Sequence, residues 1–221
     1  MFGKGSKKSA AGSSSAKGNQ KSTSSYAAST TSEKESKRAA VSLDAFNRTS
    51  QYVYSEVATF RVVVHNTGNA SKTKDGRSTN HWSIFLLLAG RTRSVRLNMS
   101  NVDGSDELGT FGVTDHDYLL SFSHLSYFDF TVVPGKKVHE FCDLIVNKRR
   151  NRYVMTGLGN GCRHWVWYLF NDFLKNHYFA VPEQDYRGLS AQFYRRLALK
   201  YHRDGNKVYT FPSEIEMGQF V

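Results

Sequence analysis

From residue 57 to residue 133 the chain is a succession of short β-prone segments, and helical periodicity begins only after them. Val57 to Val64 (VATFRVVV) is rich in β-branched and aromatic residues and reads as a strand. After a polar loop over 65–80, the run from Asn80 through His81 and Trp82 to Leu88 reads as a strand buried on both faces. Gly90-Arg91 turns the chain, and Ser94 to Met99 alternates as its antiparallel partner. A polar stretch around 103–107 is followed by strand-like pieces at 108–113, 118–123 and 128–133, the last ending at Pro134-Gly135.

The helices come next. In 136–150, Val138, Phe141, Leu144 (or Ile145) and Lys148 recur at helical spacing. A short strand at 153–156 leads into glycines 157, 159 and 161, and Val166, Leu169, Phe170 and Phe173 then lie on one helical face with Cys162. Leu189, Phe193, Leu197 and Tyr201 mark a final helix, and Val208 to Phe211 a last strand. Strands first and helices later predict an α+β fold, an antiparallel β-sheet packed with helices.

Segment 1–40 stands apart. Beyond Phe2 it has almost no large apolar residue and is dense in Ser, Lys, Gly, Ala and Thr, so it is expected to be a disordered basic tail. Eight basic residues against Glu33 and Glu35 give it six of the chain's eleven net positive charges. Such a tail suits nucleic acid, an acidic membrane surface or an acidic protein as partner, or serves as a solvated tether. Residues 41–221 are expected to form a single domain. The absence of an apolar stretch near Met1, an apolar run no longer than Ile84 to Ala89, and two cysteines predict an intracellular protein, cytoplasmic or nuclear, with free thiols.

Cys162 carries the sharpest chemistry. It falls in the first turn of its helix, where unpaired N–H groups and the helix dipole favour an anion, so its thiol is expected to ionise easily. A strand opening His81-Trp82-Ser83, a hairpin, and a distant Gly161-Cys162-Arg163-His164-Trp165-Val166 opening a helix resemble the circularly permuted papain-like thiol enzymes of the NlpC/P60 superfamily. The likeness runs over about residues 80–175; within that superfamily the lecithin–retinol acyltransferase-like and PPPDE-type proteins carry a similar His strand and Cys-helix start. The chain also resembles an uncharacterised fungal family with a Gly-Cys-Arg-aromatic-Trp helix start.

What the resemblance implies is a permuted papain-like arrangement with Cys162 as nucleophile and His81 as base. Asn98, on the following strand, would orient the imidazole; Arg96 is the other polar residue there. Gly161 stands where those families have Asn. The expected activity is thiol hydrolysis or acyl transfer on an amide, ester or thioester through an acyl-enzyme at Cys162, with no cofactor. The alternative is a catalytically silent papain-like module whose basic tail and face engage nucleic acid or an acidic partner. A zinc set drawn from His139, Cys142, Cys162 and His164 fits no common spacing, and no metal is expected. Lys148 to Arg152 would place cations at a helix C-terminus, where the dipole favours them.

Overall fold

The computed structural model describes residues 43–67, 80–101, 108–156 and 161–221. The basic tail, the polar stretch 103–107 and the glycine-rich residues 157–160, Asn160 among them, lie outside these. The fold is α+β. A five-stranded antiparallel sheet has the order β4-β3-β2-β1-β5, built from β1 (Val57–Asn66), β2 (Asn80–Leu88), β3 (Ser94–Ser100), β4 (Thr110–His116) and β5 (His124–Thr131). β1 is an interior strand, paired along most of its length with β2 on one side and the edge strand β5 on the other. Val62 pairs with Ile84 on one side and with Phe128 on the other.

The helices are α1 (residues 43–49), α2 (Val138–Asn147), α3 (Cys162–Lys175) and α4 (Tyr186–Leu197). The main core lies between one face of the sheet and the helical layer. Phe60, Val62 and Val64 of β1, Trp82, Ile84 and Leu86 of β2, and Val95, Leu97 and Met99 of β3 meet Phe141, Trp165, Val166, Leu169, Phe170 and Phe173 there. The opposite face carries only a small apolar cluster of Val63, Phe85 and Leu87 under Tyr118, Leu119 and Leu120.

Two short sheets finish the domain. β6 (Tyr153–Val154) pairs with β9 (Gln219–Phe220), and β7 (Leu199–Asp204) forms a hairpin with β8 (Lys207–Pro212). The Asn80 side chain docks that hairpin onto the start of β2, donating to the Tyr201 carbonyl at 2.8 Å and accepting from the Tyr201 N–H at 2.6 Å. Tyr201 then packs its ring edge-on to Trp82, 5.7 Å between centroids.

Several expectations change in detail. Residues 118–123 are not a strand: they form the connection between β4 and β5, and Leu119 and Leu120 cover the small apolar cluster. The last helix stops at Leu197, so Tyr201 belongs to β7. The helix expected over 136–150 spans Val138–Asn147, its start bonded through the Lys137 N–H to the Glu140 carboxylate at 2.7 Å. No helix among the described residues is long and apolar enough to cross a membrane.

Candidate functional site

Alternation along β2 decides where the candidate residues stand. Trp82, Ile84 and Leu86 face the helices, so His81, Ser83 and Phe85 face the other way. Cys162 stands on the helix side, in the main core with Trp82.

Gly161 caps α3 with φ 118, a left-handed conformation that glycine alone adopts without strain. A Cβ at this position would sit 3.1 Å from the Tyr153 hydroxyl. Gly161→Ala should therefore lower stability by about 1–3 kcal/mol in urea unfolding. That hydroxyl donates to the Gly161 carbonyl at 2.9 Å, accepts from the Gly218 N–H at 2.9 Å, and lies 3.1 Å from His164 Nδ1. One buried phenol thus ties β6, the first turn of α3 and the segment leading into β9.

The Cys162 sulfur is buried, 6% exposed, and 4.0 Å from the Asn80 carbonyl oxygen. Burial pushes its pKa up. The backbone N–H groups of Trp82 and Arg163 and the Arg163 guanidinium oppose that rise, and Glu216 adds to it. The expectation of an easily ionised thiol is corrected here, because lost hydration of the thiolate outweighs the donors at the helix start. The Arg163 guanidinium holds the C-terminal segment over this turn, donating to the Leu197 and Glu214 carbonyls at 3.1 and 2.7 Å.

His81 and Asn98 are brought together on the opposite face: His81 Nε2 donates to Asn98 Oδ1 at 2.6 Å, which fixes the tautomer. Burial pushes the imidazole down to about 4; the Asn98 bond counters this and Arg96 reinforces it. His81 is therefore neutral near pH 7. No hydrogen bond joins it to Cys162 among the described residues, because adjacent strand positions send their side chains to opposite faces. The arrangement unites two of the three expected residues and leaves the third behind the sheet.

The residues weighed for zinc do not converge: His139 bonds Asp143, Cys142 is core, and no ligand cluster exists among the described residues. Burial lifts the Cys142 thiol to about 12. In the basic cluster after α2, Lys148 and Arg150 both turn to Asp172, at 3.8 and 2.7 Å.

A family model described as a domain of unknown function, DUF7770, matches residues 60–221. The chain belongs to the DUF7770 family. No curated protein and no solved structure matches it. The match takes in the sheet from Phe60 onward and all three candidate residues. Within this DUF7770 domain the sequence reading passed over His65, Ser83 and His116 and weighed Arg96 only as a partner for His81. All four lie on the polar face: His65 Nε2 is 2.7 Å from Ser83 Oγ, and Arg96 Nε donates to the same oxygen at 3.2 Å. The signal was present as period-two spacing, His81-x-Ser83 on one strand and Arg96-x-Asn98 on the next.

Proposed function

We propose that this domain is a binding module that engages nucleic acid through its basic tail and body, without chemistry at Cys162. The observation that supports this best is the separation of Cys162 and His81 by the backbone of β2, with the thiol sealed and held neutral. The net charge of +11, six units of it in residues 1–40, supplies the attraction for a polyanion. Two free, buried cysteines fit an intracellular setting, cytoplasmic or nuclear. The expected affinity for a mixed-sequence oligonucleotide falls steeply as salt rises from about 50 to 200 mM and is unchanged by Cys162→Ala. Binding that is absent at the lower salt, or restored only by an acidic peptide, would replace nucleic acid with an acidic protein as the partner.

A second reading keeps the papain-like thiol hydrolase or acyltransferase, with Cys162 as nucleophile, His81 as base and Asn98 as its positioning residue. Two observations favour it: the Trp82 and Arg163 N–H groups directed at the sulfur, and the bond that already orients His81. It needs a rearrangement that carries the imidazole to the other side of β2. The pH dependence of alkylation separates the readings, with Cys142 as internal control. We expect both thiols of the folded protein to resist alkylation below about pH 9, with no effect of His81→Ala. An apparent Cys162 pKa below about 8.5 that rises in His81→Ala would establish the coupled pair and the enzyme.

A further inference from the structure

Arg96 and Arg61 share the polar face of the sheet but differ in partners. Arg61 is neutralised: its Nε and Nη2 each donate to an Asp129 carboxylate oxygen at 2.7 Å. Arg96 has no carboxylate partner among the described residues. Its Nε donates to Ser83 Oγ and its Nη2 to Asn98 Oδ1, both at 3.2 Å, and its guanidinium lies 5.8 Å from the centre of the Phe85 ring. Burial disfavours the charged guanidinium, yet an arginine stays ionised. A partly buried cation with no carboxylate against it among the described residues is costly to keep unless something anionic shares the site.

Three imidazoles surround it. His65 and His81 lie 5.9 Å apart, ring to ring, and His116 is 6.0 Å from Phe85 on the far side. Burial, and then the positive field of Arg96, press all three toward neutrality; at His116 the carboxylates of Asp115 and Asp117 oppose this. The donors come from four adjacent strands, β1 to β4, and converge on one face.

We propose that this face holds an oxyanion site centred on Arg96, and that its ligand is a phosphate group. The Nε and Nη2 edge of the guanidinium is already engaged by Ser83 and Asn98, which leaves its Nη1 end for a ligand. Both ring nitrogens of His65 are held by Ser123 and Ser83, so a ligand meets Nη1 and the rings of His81 and His116, on separate strands. The second nitrogen of each of those two rings becomes a donor once protonated, and a dianion with several oxygens favours that more than a carboxylate does. A bound dianion reverses the local field, so one or more imidazoles take up a proton as it binds. The inference is independent of nucleic-acid binding: the site would take a small phosphate whether or not the tail engages a polyanion.

The test is a titration of the full chain with inorganic phosphate at constant ionic strength, followed by the histidine ring resonances. We expect saturable shifts at His65, His81 and His116 and none at His139, His177 or His202. Arg96→Gln should weaken binding on the order of tenfold or more, while Arg96→Lys, which keeps the charge, should lose less. Phenyl phosphate run in parallel separates the sources: equal or tighter binding identifies a phosphate monoester, and binding of inorganic phosphate alone identifies the free ion. The absence of saturable shifts at those three rings of the parent by about 10 mM phosphate overturns the proposal without any variant. So does a folded Arg96→Gln protein that binds as the parent does.

Discussion

Lowering the pH from about 6.5 to 4.5 should remove a few kcal/mol of stability from this domain, well before its carboxylates protonate in bulk. The effect originates at His65 and His81. His65 is 5% exposed, its two ring nitrogens 2.9 and 2.7 Å from Ser123 Oγ and Ser83 Oγ. Burial, then the charges of Arg96, His81 and His124, push its pKa down to about 3. His81 stands at about 4. In the unfolded chain both titrate near 6.5, so between that value and their folded pKa values the unfolded state binds more protons. Stability is therefore complete above about pH 6.5 and is lost progressively as pH falls from there, the loss ending near 4 for His81 and near 3 for His65. The limit is about 1.4 kcal/mol per pH unit for each histidine, and partial exposure of His81 reduces its share. Urea unfolding at pH 7.5, 6 and 5 reads the slope directly. His65→Gln should flatten it, and a midpoint constant down to pH 5 would mean that these rings are solvated. Phosphate at the Arg96 site should shift the loss to lower pH, because it favours the protonated rings in the folded state.

Phe60→Ala should cost about 3–5 kcal/mol, a large share of the 5–15 kcal/mol typical of a whole domain. Phe60 is fully buried at the middle of β1, and its ring meets Phe179 at 5.2 Å, Phe173 at 5.5 Å, Phe130 at 6.3 Å and Phe141 at 6.4 Å. These partners come from β5, α2, α3 and the segment after α3, so no single element can relax into the space left by the ring. Edge-on and tilted ring contacts add to the cost of lost apolar burial. The control is Phe122→Ala. Phe122 is 99% exposed, and its loss should change stability by no more than about 0.5 kcal/mol. If the two substitutions cost the same, the aromatic core around Phe60 is not what holds the sheet to the helices.

Much of this architecture was legible in the residue order. The β-branched run of β1, the hairpin of β2 and β3, and the apolar face of α3 are strong local signals that tertiary packing reinforces. β7, with the sequence LKYHRD, was not legible. Its polar residues sit on an exposed hairpin attached through buried Tyr201, half-buried Leu199 and the bond from Arg203 to the His124 carbonyl. The pairing of β6 with β9 is two residues long and depends on the Tyr153 hydroxyl, which composition does not reveal. The separation of Cys162 from His81 was hidden for a physical reason. β2 is apolar on both faces, Ile84 and Leu86 on one and Phe85 and Leu87 on the other, so its period-two spacing groups His81 with Ser83 without saying which of the two faces the helices cover. What settles it is the size of the two clusters, a property of the assembled sheet.

The placement of β1 also governs how the chain reaches this state. Its neighbours β2 and β5 are far from equal in sequence: Asn66 meets Asn80 across a short separation along the chain, whereas Thr59 must find Thr131 after the whole meander has formed. Closing the second ladder takes more chain entropy and comes later. Until it closes, one edge of β1 stands open, with Val62, Val63 and Val64 presenting unpaired backbone beside apolar side chains. That interval is when a second copy of the same strand could compete with β5, so aggregation during refolding should depend on how fast β5 arrives.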